Sequence, residues 1–163
     1  MKTPIQTLAA TFTSGQVKMF FTALCMTWAL QAFSIGGERD FRGNITSSGT
    51  HFVKGTSSQR WNNATSQSDT KANYANFDGE TFVWLMAYDK QTDVLLESNV
   101  QVTSGQLCMI VESSLGEVVF EKTFQKDQTI YATVTLDVYE QYKVRFIGGN
   151  ATGSYQCQWT ALN

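Results

Sequence analysis

The chain has 163 residues, of which 42% are hydrophobic, 13% aromatic and 16% charged, and its formal net charge is -2. That balance excludes a nucleic-acid binder working by bulk positive charge, and the apolar fraction excludes a disordered acidic tail. The length suits one ordinary domain, and one His with three Cys leaves little for metal or thiol chemistry.

Residues 1–35 contain no Asp or Glu, and their only charges are Lys2 and Lys18. An apolar run, residues 19–35, follows directly, broken only by Thr22, Thr27, Gln31 and Ser34. A basic flank before such a run is what an export translocon recognises. Residues 1–35 are therefore read as a signal peptide or membrane anchor, which predicts an extracytoplasmic protein, secreted or anchored through residues 19–35. Cleavage would follow Ala32 or Ser34. Leu24 before Cys25 is too large for a lipobox. The competing reading is a buried amphipathic helix.

Residues 36–73 read as a polar linker. About half of residues 43–76 are Ser, Thr or Asn, with Ile45, Phe52, Val53, Trp61 and Tyr74 as the scattered large apolar side chains. Phe52-Val53 and Trp61 could each contribute an edge strand. The globular unit is expected over residues 74–163.

From Phe77 onward the apolar period is two. Asp78-Gly79 reads as a turn. Residues 81–88 set Phe82, Trp84, Met86 and Tyr88 against Val83, Leu85 and Ala87. Residues 94–103 alternate, Ser104-Gly105 fits a two-residue hairpin, and residues 106–112 return. Residues 118–124 and 129–136 follow. In residues 141–147, Tyr142, Val144 and Phe146 alternate with Lys143 and Arg145. Residues 148–153 read as a loop before a last strand, residues 154–160. Seven short alternating strands with no helical stripe predict an all-β fold, a single antiparallel β-sandwich. In this alternation Cys157 faces inward and Cys108 outward, so the two are expected to be free thiols.

Ser104-Gly105, the run Gly116-Glu117-Val118-Val119-Phe120-Glu121-Lys122, Tyr142-Lys143-Val144-Arg145-Phe146 and the approach from Gly153-Ser154 to Trp159 make a pattern that resembles small exported β-sandwich proteins of Gram-positive bacteria. The resemblance spans about a third of the chain, and it implies an address and a fold but no activity. Tyr155-Gln156-Cys157 is similar to the tyrosine corner of immunoglobulin domains, which implies an adhesion-like alternative. No Trp lies between Cys108 and Cys157, however, and only six residues follow Cys157.

Chemistry is sparse. His51 is the sole histidine and lies in the polar lead-in. No His/Cys cluster has zinc spacing, and the acids at Asp78, Glu80, Asp89 and Asp93 read as turn formers before calcium ligands, so no metal and no cofactor is expected. Sequons stand at Asn44, Asn63 and Asn150. The aromatics are the feature with recognition potential: Trp61, Trp84 and Tyr88 are the candidate binding residues. Trp61 is expected to be exposed. The row of Phe82, Trp84 and Tyr88 is expected to be the core side of its strand, with Val83 and Leu85 covered by the lead-in or a partner. The function read from these features is an exported, non-enzymatic module binding a protein or a wall or other glycan. The alternatives are a hydrolytic, carbohydrate-active enzyme using rim carboxylates, an anchored spacer, or an immunoglobulin-like adhesion domain. No nucleic-acid partner is expected.

Overall fold

A computed structural model describes residues 44–162, so the signal or anchor reading of residues 1–35 lies outside the described residues. Eight antiparallel strands follow one another: β1 (Ile45–Ser47), β2 (His51–Phe52), β3 (Arg60–Thr65), β4 (Asp69–Ala87), β5 (Thr92–Ser113), β6 (Val118–Phe124), β7 (Gln128–Leu136) and β8 (Gln141–Ala161). Among the described residues there is no helix, and hence none long and apolar enough to cross a membrane. The hydrogen-bonded order is β1-β4-β8-β5-β6, with β2 and β3 also on β4 and β7 on β5.

Three strands are long, and they fold the sheet onto itself. Residue Met86 of β4 lies opposite Gln141, and Val94 of β5 lies opposite Ala161, at the two ends of β8. A straight strand of that length would run roughly 65–70 Å at about 3.3 Å per residue. The chain from Ala87 to Thr92 can reach at most about 18 Å. The two ends of the sheet therefore meet, and β4, β5 and β8 each run through both layers of a sandwich. Layer I holds β3, residues 69–74, 153–161 and 92–102 of the long strands, and β7. Layer II holds β1 and β2, residues 77–87, 141–148 and 106–113, and β6.

The sequence turns the corner by switching parity. In β4 the buried positions are Thr70, Ala72 and Tyr74, then Phe77, Thr81, Val83, Leu85 and Ala87. In β5 they run from Thr92 to Val102 on even numbers, then from Leu107 to Ser113 on odd ones. In β8 Tyr142, Val144 and Phe146 give way to Ala151, Tyr155, Cys157 and Trp159. One inserted residue flips every later side chain to the opposite face. Register shifts fall at these places, between Tyr74 and Phe77, Phe77 and Gly79, Val102 and Ser104, and Ser104 and Gln106. Left-handed backbone gathers there too: Asn76 (φ 49°), Asn150 (φ 49°), Gly79 (φ 124°) and Gly105 (φ 72°). Asp78-Gly79, Ser104-Gly105 and residues 148–153 are therefore bulged corners inside continuous strands and not the turns and loop expected from sequence. Turns and bulges draw on the same residues, because both need φ > 0.

The two inner faces form one core. Phe146 and Tyr155, both on β8 but in different layers, stack with centroids 3.8 Å apart and planes at 5°. Leu96, Leu107, Leu136, Phe77 and Phe124 are fully or almost fully buried, each worth about 2–3 kcal/mol of apolar burial. The Ser98 hydroxyl donates across the layers to Met109 Sδ at 3.2 Å.

From Ile45 onward the expected polar linker contributes strands to the sheet. β3 pairs with β4 from Arg60↔Ala75 to Thr65↔Thr70, and Thr70, Ala72 and Tyr74 are buried. Its low apolar content reflects an edge strand whose outward side is wet, together with inner positions filled by Thr and Ala. Asn44 clasps the first strand: its Nδ2 donates to the Lys90 carbonyl and to Thr92 Oγ1 at 2.7 Å each, and its Oδ1 accepts from the Tyr88 amide at 3.2 Å. Cys108 and Cys157 are free thiols, the first half-buried on the outer side, the second fully buried.

Candidate functional site

The outer faces of the two layers differ in kind. Layer I presents a polar lattice. Cross-strand pairing sets Asn62, Asn73, Ser154 and Gln101 in one row and Lys71, Gln156 and Asn99 in the next. Most of these are exposed. Layer II presents half-buried Phe82, Trp84 and Met86 from β4, Arg145 and Ile147 from β8, and Cys108 and Ile110 from β5. This corrects the core expectation for the aromatic row. Val83, Leu85 and Ala87 are the buried side, at 1%, 0% and 0% exposure, and Phe82, Trp84, Met86 and Tyr88 point outward. Both sides of the strand are apolar, so periodicity could not choose between them. In this half of β4 the branched and small side chains fill the core and the wide rings stand outside.

The rings form a platform. His51, opposite Phe82 on the edge strand β2, stacks on it with centroids 5.0 Å apart and planes at 21°. Phe82 and Trp84 meet edge to face at 5.6 Å. Next to them on β8, opposite Trp84, Lys143 holds its ammonium 5.0 Å from the Trp84 ring and 5.4 Å from that of Phe82, a cation–π arrangement.

A chelated arginine borders the platform. Arg145 lies opposite Phe82 on one side and Ile110 on the other. Its Nε donates to Glu80 Oε1 at 2.8 Å and its Nη2 to Glu80 Oε2 at 2.6 Å, while its Nη1 donates to Glu112 Oε2 at 2.6 Å. Lys143 Nζ stands 3.5 Å from Glu112 Oε1. The hydrogen bonds that the guanidinium donates to Glu80 hold its pKa above its ordinary value, against the opposing cost of burial, and Glu112 adds to the effect. Bidentate pairing fixes all three side chains in rigid, planar orientations. Of these four charged side chains only Glu80 was considered from sequence, as a turn former or calcium ligand and not as a partner of Arg145. Their signal was the alternation of Lys143 and Arg145 with the buried Tyr142, Val144 and Phe146.

The other sequence candidates divide. Trp61 is not an exposed anchor. It is half-buried against the core, with its ring 4.9 Å from Phe77, 5.3 Å from Phe52 and 5.8 Å from Tyr74, and its indole N–H donates to Asn63 Oδ1 at 3.0 Å. Tyr88 lies just past the end of β4 on the outer side and meets exposed Tyr139 edge to face at 6.1 Å. Of the acids considered as ligands, Asp93 accepts from Thr135 Oγ1 at 2.6 Å. Among the described residues no group of three or more His, Cys, Asp and Glu is arranged to hold a metal ion. Carboxylates converge in two places among the described residues: Glu80 and Glu112 on the Arg145 guanidinium, and Asp137 and Glu140 on the Tyr142 hydroxyl, at 3.4 and 3.5 Å. Three of the four oxygens of Glu80 and Glu112 accept from Arg145, and the fourth, Glu112 Oε1, faces Lys143.

No family model matches the chain, and no curated protein matches it in sequence. Among solved structures it is similar to a CBM4 structure (TM-score 0.43, 8% identity, covering 66% of this chain and 79% of that one). It is also similar to the carbohydrate-binding module CBM6cm-2 from Cellvibrio mixtus lichenase 5A, in complex with cellotriose (TM-score 0.42, 15% identity, 70% and 97% covered). A third is the N-terminal cellulose-binding domain of Cellulomonas fimi β-1,4-glucanase C (TM-score 0.39, 12% identity, 74% and 96% covered). These are distant likenesses of strand arrangement, and the chain's own face has to carry the functional reading.

Proposed function

We propose that the domain is a non-enzymatic glycan-binding module, and that the outer face of layer II is its binding surface. The observation that carries the reading is the contrast between the two outer faces of one sheet. Layer I is mostly polar, with Tyr131 as its exposed aromatic, whereas layer II keeps Phe82, Trp84 and His51 in a ring platform beside oriented hydrogen-bonding groups. Sugar rings have apolar C–H faces and equatorial hydroxyls. An aromatic platform takes the first, and oriented carboxylates, guanidinium and ammonium take the second. Trp84 and Phe82 supply the platform, Glu80, Glu112, Arg145 and Lys143 the polar frame, and Tyr88 prolongs the aromatic row toward the end of the strand.

The test is binding to immobilised and soluble polysaccharides, by affinity electrophoresis and calorimetry, with Trp84→Ala, Phe82→Ala and a layer I control, Gln156→Ala. The aromatic variants are expected to weaken binding by about tenfold or more, or about 1.4 kcal/mol, and the control to leave it unchanged. Equal loss in the control, or binding indifferent to Trp84, would refute the assignment. We further propose that the protein is exported, a reading that rests on residues 1–35 alone. It is tested by fractionating cells that express the full chain, where soluble cytosolic protein retaining residues 1–35 would contradict it.

A further inference from the structure

Building on the glycan reading, we infer that the layer II face takes an uncharged glycan and rejects a polyanionic one, and that Glu112 sets this preference by holding both cations of the face. The charges within the site cancel. Arg145 and Lys143 are positive and Glu80 and Glu112 negative, and every one of them touches a partner of opposite sign. Glu112 is the shared member. One oxygen accepts from Arg145 Nη1 at 2.6 Å and the other faces Lys143 Nζ at 3.5 Å. Glu80 takes two further donors of the same guanidinium.

A sugar carboxylate or sulfate arriving here finds no cation free to receive it. To reach the remaining N–H groups of Arg145 it must approach Glu80 and Glu112, and to reach Lys143 it must approach Glu112, like charges in each case. A hydroxyl has no such conflict. It donates to a carboxylate oxygen or accepts from the ammonium while the ion pairs stay in place, and its ring packs on Trp84 and Phe82. Paired charge of this kind contributes discrimination, because an unmatched charge is penalised more than a matched one is rewarded.

The test uses three neutral polymers of different linkage (hydroxyethylcellulose, laminarin and galactomannan) and one polyanion, polygalacturonate. The proteins are wild type, Trp84→Ala, Glu112→Gln and Glu97→Gln, the last removing the same charge from the exposed side of layer I. Wild type is expected to bind a neutral polymer through Trp84 with an affinity insensitive to salt, and to bind polygalacturonate at least about tenfold more weakly. Glu112→Gln releases Lys143 and one side of Arg145, and is expected to gain about tenfold or more for polygalacturonate, lost again at high salt, whereas Glu97→Gln gains nothing. If Glu112→Gln does not fold, Glu80→Gln opens the other side of the same guanidinium and is read in the same way. A wild type that prefers polygalacturonate, or a Glu112→Gln variant with no gain, overturns this inference while Trp84-dependent glycan binding still stands. No Trp84-dependent binding to any of the four polymers, by wild type or Glu112→Gln, removes the glycan reading and the inference together.

Discussion

Single residues decide which side of β4 is interior. Trp84 is half-buried under Lys143, so Trp84→Ala removes only part of a full burial and is expected to destabilise by about 1–2 kcal/mol. Val83→Ser places a hydroxyl at a position that is 1% exposed and is expected to cost more, about 2–3 kcal/mol. Urea titration of the two variants gives the order, and the reverse order would put the aromatic row back in the core. Cys157 supplies a second residue-scale outcome. Burial pushes its thiol from 9.0 up to about 12, and burial likewise pushes the Tyr155 hydroxyl from 10.0 up to about 12. Tyr74 and Tyr142 shift in the same direction, also chiefly through burial. In each case the folded state holds its proton where the unfolded chain gives it up. Stability is therefore intact below pH 9 and falls between pH 9 and about 12. Denaturation midpoints across that range are expected to drop, with a shallower onset near pH 9 in Cys157→Ala. Flat midpoints would mean these groups are not sealed from water.

At the scale of elements, the corner is the device that makes one sheet into two layers. Gly153 shows how tight it is: a Cβ there would land on the Gln101 carbonyl oxygen. Gly105 adopts φ 72° with its would-be Cβ against the Asn150 backbone. Gly153→Ala is expected to destabilise by about 2–3 kcal/mol, and Gly116→Ala, which has open space around it but φ 82°, by about 1 kcal/mol. Thermal melts of both variants separate steric crowding from backbone strain. The strands themselves were legible, because their alternation is regular on either side of each corner. Continuity through the corner was not. Ser104-Gly105 and Asp78-Gly79 carry the residues that a hairpin would use, and a local sequence does not tell whether the chain reverses or bulges and goes on. Likewise Thr70, Ala72 and Tyr74 alternate correctly, but Thr and Ala are weak apolar signals among Asn, Ser and Lys. The site was half legible. Trp84 and Tyr88 were identified, and their outward direction became apparent only once β8 placed Lys143 opposite Trp84 and Arg145 opposite Phe82.

The whole domain includes its polar beginning. β3 covers one edge of β4, Trp61 closes the core over Phe77 and Tyr74, and the Trp159 indole donates to the Gln67 carbonyl at 2.7 Å. A chain beginning at Tyr74 would lose those contacts and strip residues 154–158 of β8 of their partners on the β4 side, leaving them paired with β5 alone. It is expected to be unfolded by circular dichroism and to lack dispersed amide resonances. A folded, cooperative unit from Tyr74 onward would restore the linker reading. The same architecture gives one molecule two outer faces of different character, which makes the central claim directly measurable. Amide chemical shifts of the 15N-labelled protein, followed through titration with oligosaccharides of the polymer it binds, are expected to move at Phe82, Trp84, Glu112, Lys143 and Arg145, and to stay fixed at Lys71, Asn73, Asn99 and Gln156. Shifts centred on the layer I residues, with Trp84 and Lys143 unmoved, would contradict the account.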